Sequence, residues 1–171
     1  LRASLLEYVG SDAFAPQQRL EAWELTRLFR EPSAMQKLNA AVTASNAHPG
    51  YDPQLVLDGD PATFWHTAWA PTQVQPPHSL EIDLGLPRSV AGLRYTPRTD
   101  SENGRFSAYR IEVSDAGYDW TLIEEGSWDN DASTKSAQWT PQQARYVRLT
   151  MLSSTNGQPY ASAAEVEIIV E

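Results

Sequence analysis

From residue 39 onward, apolar and polar positions tend to alternate. Leu80, Ile82 and Leu84 are separated by Glu81 and Asp83, and Val147, Leu149 and Met151 by Arg148 and Thr150. Successive side chains of a strand point to opposite faces, so a period of two marks a strand with one buried face. This pattern predicts strands over 41–45, 79–84, 90–95, 109–114, 121–125, 146–151 and 164–170. Turn formers separate them: His48-Pro49-Gly50, Gly85-Leu86-Pro87, Asn103-Gly104, Asp115-Ala116-Gly117 and Asn156-Gly157-Gln158-Pro159. Many short strands joined by such turns predict an all-β sandwich or barrel.

The first 38 residues follow a different rule. Leu20, Trp23, Leu28 and Phe29 recur at roughly helical spacing among charges, Pro16 suits a first helical turn and Pro32 ends the run. A second short helix is expected over 33–38, with Ser33 as its cap. We therefore divide the chain into a helical segment, 1–38, serving as a linker or the tail of a preceding domain, and a β domain, 39–171. The chain opens at Leu1 rather than Met, without a leader, and is expected to be part of a larger protein.

Charge narrows the function. Thirteen Lys and Arg stand against 22 Asp and Glu, a formal net charge of −9. No basic cluster supplies the footprint that nucleic-acid phosphates or an anionic membrane surface demand, so neither partner is expected. No apolar run approaches the ~20 residues that span a bilayer. Without cysteine, disulfides and thiolate metal sites are excluded.

Two groups of residues carry candidate chemistry. In Leu57-Asp58-Gly59-Asp60-Pro61-Ala62-Thr63, two carboxylates and a hydroxyl gather on a tight turn. Such hard oxygens, completed by backbone carbonyls, suit Ca²⁺, and an Asx turn without metal accounts equally for the spacing. The second group is His66, Trp69, Arg98, Asn103 and Tyr160, spread over several turns. Sugars offer apolar C–H faces to aromatic rings and hydroxyls to fixed donors and acceptors, which this set could provide. Each residue alone has a plainer reading as core, surface charge or turn former. Catalytic constellations are poor. His48, His66 and His78 form no His-x-x-x-His pair, there is no Gly-x-Ser-x-Gly elbow, and Glu124 and Glu125 face opposite ways on one predicted strand. The chain itself is expected to be non-catalytic.

Taken in order, the segments 57–67, 76–85, 92–98, 109–115, 144–149 and 156–166 resemble the discoidin domain, the coagulation-factor type-C module, and within it the family-32 carbohydrate-binding modules. The resemblance runs from about residue 40 to the end. It implies an antiparallel jelly-roll β-sandwich of about eight strands and one structural Ca²⁺. By motif, the calcium ligands would be the Leu55 carbonyl, Asp58, Asp60, Thr63, the Ala164 carbonyl and Glu165. The sugar site would comprise His66 on the axial hydroxyl that distinguishes galactose from glucose, Arg98 and Asn103 on neighbouring hydroxyls, and Trp69 or Tyr160 stacked on the apolar face. A Glu common in the first loop of these modules is replaced here by Asn46 or Ser45.

The resemblance implies a monomeric module that targets a larger glycan-active enzyme to galactose- or N-acetylgalactosamine-type glycans, with the catalytic domain preceding it in the same parent chain. A secreted, periplasmic or cell-surface location follows from the family habit. The alternative is a structural or protein-interaction β-sandwich without sugar binding. Convergence of His66, Arg98 and Asn103 beside an exposed aromatic distinguishes the two. A phospholipid-binding module is disfavoured by the acidic balance and by the lack of the Cys pair expected of that branch.

Overall fold

A computed structural model describes residues 7–15 and 30–171. The chain divides into two compact units, Leu1–Glu31 and Pro32–Glu171. In the first, Tyr8 and Phe14 meet edge to face at 5.8 Å, and the Ser11 hydroxyl donates to the Tyr8 carbonyl at 2.8 Å. The helical run expected between Pro16 and Pro32 lies, but for Arg30 and Glu31, outside the described residues.

The second unit opens with a helical turn, α1 (Ala34–Lys37), capped as its sequence predicts. Ser33 Oγ accepts the Gln36 amide at 3.1 Å, and the Gln36 side chain accepts the Ser33 amide at 2.9 Å, forming a reciprocal capping box. Met35 is buried, and its sulfur accepts the Ile168 amide at 3.4 Å. The turn is thus joined to the β domain, whose compact unit begins at Pro32.

Eight strands follow: β1 (Ala41–Ala44), β2 (Trp65–His66), β3 (His78–Thr96), β4 (Ala108–Ser114), β5 (Thr121–Ser127), β6 (Lys135–Met151), β7 (Ser162–Ala163) and β8 (Glu165–Val170). A 3₁₀ turn, Pro53–Leu57, lies between β1 and β2. All pairings are antiparallel, in the order β1-β3-β6-β4-β5, with β8 on the second half of β3 and β2 paired to β7. β3 and β6 are long strands that bend. The first half of β3 pairs with β1, and the second half with β8. Irregularities between Asp83 and Arg88 and between Val90 and Gly92 mark the bends. The fold is an antiparallel jelly-roll β-sandwich. Its core holds Trp65, Leu80, Ile82, Leu84, Leu93, Tyr95, Phe106, Ile111, Leu149 and Met151.

Besides the two-residue strands β2 and β7, which no alternation announced, the strand pattern departs from expectation in two places. Gly85-Leu86-Pro87 is an irregular passage within β3, with Gly85 at φ +75°, so the strands expected over 79–84 and 90–95 are one. The first half of β6 carried no visible alternation. Three residues, Trp139, Thr140 and Pro141, stand opposite the single Ala91, and this bulge accommodates a proline that a regular ladder would exclude.

Candidate functional site

The site is assembled around the small β2–β7 pair. Trp65 is fully buried and its Nε1–H donates to the Asn46 carbonyl at 3.0 Å, so the adjacent His66 is presented from a fixed base. The Thr67 amide donates to the Ala161 carbonyl at 2.9 Å, and the Ala161 amide returns a bond to Thr67 Oγ1 at 3.0 Å. This brings the loop carrying Tyr160 beside His66. The Ser162 amide donates to the Gly104 carbonyl at 2.9 Å, and its hydroxyl to the Asn103 carbonyl at 2.8 Å, fixing a third loop.

Tyr51, His66, Trp69, Arg98, Asn103 and Tyr160 line one open cleft of about 370 Å³. Five of these six were expected from the sequence. The sixth, Tyr51, was not. Its ring lies 5.3 Å from Trp69 and 5.1 Å from Phe64, and its carbonyl accepts the His66 amide at 3.3 Å. An aromatic directly after His48-Pro49-Gly50 was the available signal, and it reads as the flank of a turn. Trp69 is 40% exposed and stacks on His48 with centroids 3.3 Å apart and planes 11° apart. The Tyr160 ring lies 5.5 Å from that of His66.

The polar groups are individually braced. His66 is 4% exposed, and its Nδ1 lies 2.7 Å from the Thr67 carbonyl. A carbonyl only accepts, so Nδ1 carries the proton and Nε2 is an acceptor. Burial, assisted by Arg98 and His48, holds this imidazole below its ordinary pKa, against the opposing effects of the Thr67 bond and Asp100. Arg98 donates from Nε to Asp100 Oδ1 at 2.7 Å and from Nη2 to Oδ2 at 2.5 Å. Its guanidinium carbon lies 3.9 Å over the Phe64 ring. Asn103 accepts from Asn156 Nδ2 at 2.9 Å through Oδ1.

Asn46 has a different place. Its Oδ1 accepts the Ala68 amide at 2.8 Å and its Nδ2 donates to His78 Nδ1 at 3.2 Å. His78 Nε2–H in turn donates to the Pro159 carbonyl at 2.9 Å. Asn46 and His78 thus brace the two loops bearing Trp69 and Tyr160, and Asn46 is not among the residues lining the cleft.

The acidic turn follows the 3₁₀ segment. Asp58 Oδ1 accepts the Asp60 amide at 2.7 Å, and Oδ2 accepts the Thr63 hydroxyl at 2.9 Å. The Leu55 carbonyl accepts the Asp58 amide at 3.5 Å, and the Ala164 amide donates to the Thr96 carbonyl at 2.9 Å. Among the described residues, no three His, Cys, Asp or Glu side chains form a cluster able to hold a metal by themselves. Glu165 nevertheless has a buried Oε1 with no hydrogen-bond partner, and burial together with neighbouring Asp58 pushes its carboxyl up to about 8. A buried, unpartnered carboxylate oxygen beside a second carboxylate is what a hard cation would relieve. The all-oxygen donors around it fit Ca²⁺.

Residues 41–166 match the family model described as the F5/8 type C domain. The chain belongs to this family. The chain is similar to galactose oxidase of Gibberella zeae, 37% identical over 90% of this chain but only 23% of that protein. The chain therefore spans about a quarter of that relative. Solved modules are matched almost whole. One is a family 32 carbohydrate-binding module from C. perfringens NanJ in complex with galactose, 28% identical, with 80% of this chain and 97% of that chain covered and a TM-score of 0.72. Another, from a Clostridium perfringens protein, is in complex with GalNAc-β-1,3-galactose, 31% identical, with 80% and 99% covered and a TM-score of 0.73. Among the described residues of this F5/8 type C chain, no helix is long and apolar enough to cross a membrane.

Proposed function

We propose that the β domain is a non-catalytic carbohydrate-binding module for galactose- or N-acetylgalactosamine-type glycans. One observation carries this reading: His66, Arg98 and Asn103 line a single cleft with the exposed ring of Trp69 and with Tyr160. A structural sandwich has no need for three braced polar groups beside an exposed indole. The cleft lies at the small end of ligand pockets, which suits one sugar ring rather than a long chain. The two solved modules, in complex with galactose and with GalNAc-β-1,3-galactose, support the choice of sugar.

In this reading Trp69 and Tyr160 cover the apolar face of the ring, while His66 reads the axial hydroxyl and Arg98 and Asn103 the neighbouring ones. Burial of a small polar ligand in an open cleft yields weak affinity, near ~1 mM, or about 4 kcal/mol. Useful targeting then depends on the effective concentration gained by linking the module to an enzyme in one secreted or surface-exposed chain. Ca²⁺ would be held by Asp58, Asp60, Thr63, Glu165 and the carbonyls of Leu55 and Ala164. Its contribution would be to tie the turn before β2 to the start of β8.

Calorimetric titration with galactose, N-acetylgalactosamine and glucose tests the reading. Saturable heat from the first two and none from glucose is expected. His66→Ala and Arg98→Ala should each abolish that heat while leaving the circular dichroism unchanged. Absence of binding by any of the three sugars at high millimolar concentration would turn the assignment toward a structural domain.

A further inference from the structure

We infer that the cleft presents a fixed hydrogen-bond polarity, one acceptor and two donors, and that Asn156, outside the lining, sets part of it. The inference rests on the sugar reading above and specifies how each hydroxyl must be oriented. It follows from three chains of bonds, each ending in a group whose polarity is unambiguous.

The first chain ends at the Thr67 carbonyl. Because that oxygen only accepts, His66 Nδ1 is the protonated nitrogen and Nε2 offers a lone pair. The second ends at the Asp100 carboxylate, which occupies Nε and Nη2 of Arg98 side-on. Nη1 remains, and a guanidinium nitrogen only donates. The third ends at the Gln158 backbone amide, which only donates. It donates to Asn156 Oδ1 at 3.2 Å, so the other end of the Asn156 amide, Nδ2, is directed to Asn103. Asn103 must meet it with Oδ1, which leaves Nδ2 as the group offered to a ligand. An amide that could serve a ligand in either orientation is thereby held in one.

A hydroxyl facing His66 must therefore donate its proton, whereas hydroxyls facing Arg98 and Asn103 must accept. Replacing a hydroxyl by fluorine removes its donor and leaves only a weak acceptor. The probe is a set of galactoses each fluorinated at one hydroxyl position, titrated against the intact chain and compared with galactose. Fluorination at the hydroxyl that meets His66 should weaken binding about tenfold or more, and at those that meet Arg98 or Asn103 only about threefold. Galactose that binds while all fluorinated sugars weaken equally would overturn the polarity and leave the sugar reading standing. Galactose that fails to bind would overturn both.

Asn156→Asp then tests the positioning residue itself. The Asp carboxylate still accepts the Gln158 amide but donates nothing, so Asn103 must turn Nδ2 toward it and show Oδ1 to the ligand. Galactose, whose hydroxyls both donate and accept, should bind within about threefold of the parent chain. The derivative fluorinated at the Asn103-facing position should now lose about tenfold relative to galactose. A merely structural role for Asn156 would weaken every derivative alike, and that result would overturn its assignment. Should the variant not fold, the fluorination pattern of the parent chain still decides the polarity of the cleft, and Asn103→Asp decides the third chain. An Asp at 103 offers the ligand an acceptor only, so the derivative fluorinated at that position should lose about tenfold relative to galactose instead of about threefold, and an unchanged threefold loss would overturn the assignment.

Discussion

Arg98 lies over Phe64, its guanidinium carbon 3.9 Å from the ring centroid. Asp100 completes the grip from the side, and the Arg98 side chain is left only 14% exposed. A long, rotamer-rich side chain is thereby ordered before any ligand arrives, which lowers the entropic cost of binding. Phe64 is the residue that separates the acidic turn from β2, so the same short segment supports both the turn and the cleft.

Asp100→Ala should release that grip while leaving the aromatic contact. We expect galactose affinity to fall about tenfold, equivalent to about 1.4 kcal/mol. The melting temperature should hardly change, because the Asp100 carboxylate is 59% exposed, and an ion pair open to solvent on one side contributes little to stability. Parallel calorimetry and thermal unfolding check both halves.

Binding should depend on pH through His66. Its Nε2 accepts only while the imidazole is neutral, and burial holds the pKa below 6.5. The groups around it are Arg98 and His48, which disfavour a further positive charge, and Asp100, which favours one. Affinity is expected to be constant above pH 6.5 and to decline as pH falls through the lowered pKa. Stability moves in the same direction. The folded-state pKa values of both His66 and His78 lie below the unfolded value of 6.5, so the unfolded chain takes up more protons as pH drops below 6.5 and stability is lost there. Titrations restricted to pH values where circular dichroism reports a folded domain separate the two effects. Affinity that stays flat until the domain unfolds would remove His66 as the acceptor.

What the sequence made legible follows from period and motif. The alternation of Leu80, Ile82 and Leu84 is the inward face of β3, and Ser33 is the cap its sequence announces. The first half of β6 was hidden because Gln138, Gln142 and Gln143 break the apolar rhythm and Pro141 resembles a strand breaker. In the site, His66, Arg98 and Asn103 are separated by up to 37 residues in the chain; their chemistry suggested a sugar-binding set, and the family pattern gave each a role before the structure brought them together. Tyr51, Asp100 and Asn156 escaped notice because their work is relational: a ring against a ring, a carboxylate beside a guanidinium, an amide orienting an amide. Asn46 illustrates the converse. The resemblance sets Asn46 or Ser45 in the place of a family Glu, and in the structure the Ala68 amide and His78 need partners and Asn46 serves them.

Calcium, if it occupies the acidic turn, should act on stability. At ~100 times its dissociation constant a ligand bound only by the folded state adds about 2.7 kcal/mol. For a domain of this size that raises the melting temperature by roughly 5–10 °C. Addition of a chelator should reverse the gain. Glu165→Gln tests the mechanism more sharply. Without calcium it removes one of two neighbouring half-buried carboxylates and should leave the melting temperature unchanged or raise it, whereas with calcium it should lose most of the gain. A Glu165→Gln domain that still gains the full calcium shift would exclude Glu165 as a ligand.

Gly104 links the stability of the fold to the geometry of the cleft. Its φ is +80°, a conformation L side chains rarely adopt, and a Cβ there would lie 2.6 Å from the Ser162 amide nitrogen and 2.7 Å from the Ala161 carbonyl carbon. Those atoms are backbone, so no side chain can swing aside to make room. Gly104→Ala must therefore lift the loop from β7, breaking the bond from the Ser162 amide to the Gly104 carbonyl and weakening that from the Ser162 hydroxyl to the Asn103 carbonyl. Left-handed strain plus the displaced contacts should cost about 2 kcal/mol or more. Asn103 would move with the loop, and galactose affinity should fall at the same time, by about tenfold. Gly157, also at positive φ but with nothing within 4 Å of its would-be Cβ, provides the control. Gly157→Ala carries the backbone strain without the collision, so it should destabilise less and leave Asn103 where it is. Thermal unfolding and sugar titration of the two variants side by side separate loss of the loop's seat from loss of a glycine's freedom. Equal effects of the two substitutions on affinity would mean that the seat against β7 does not position Asn103.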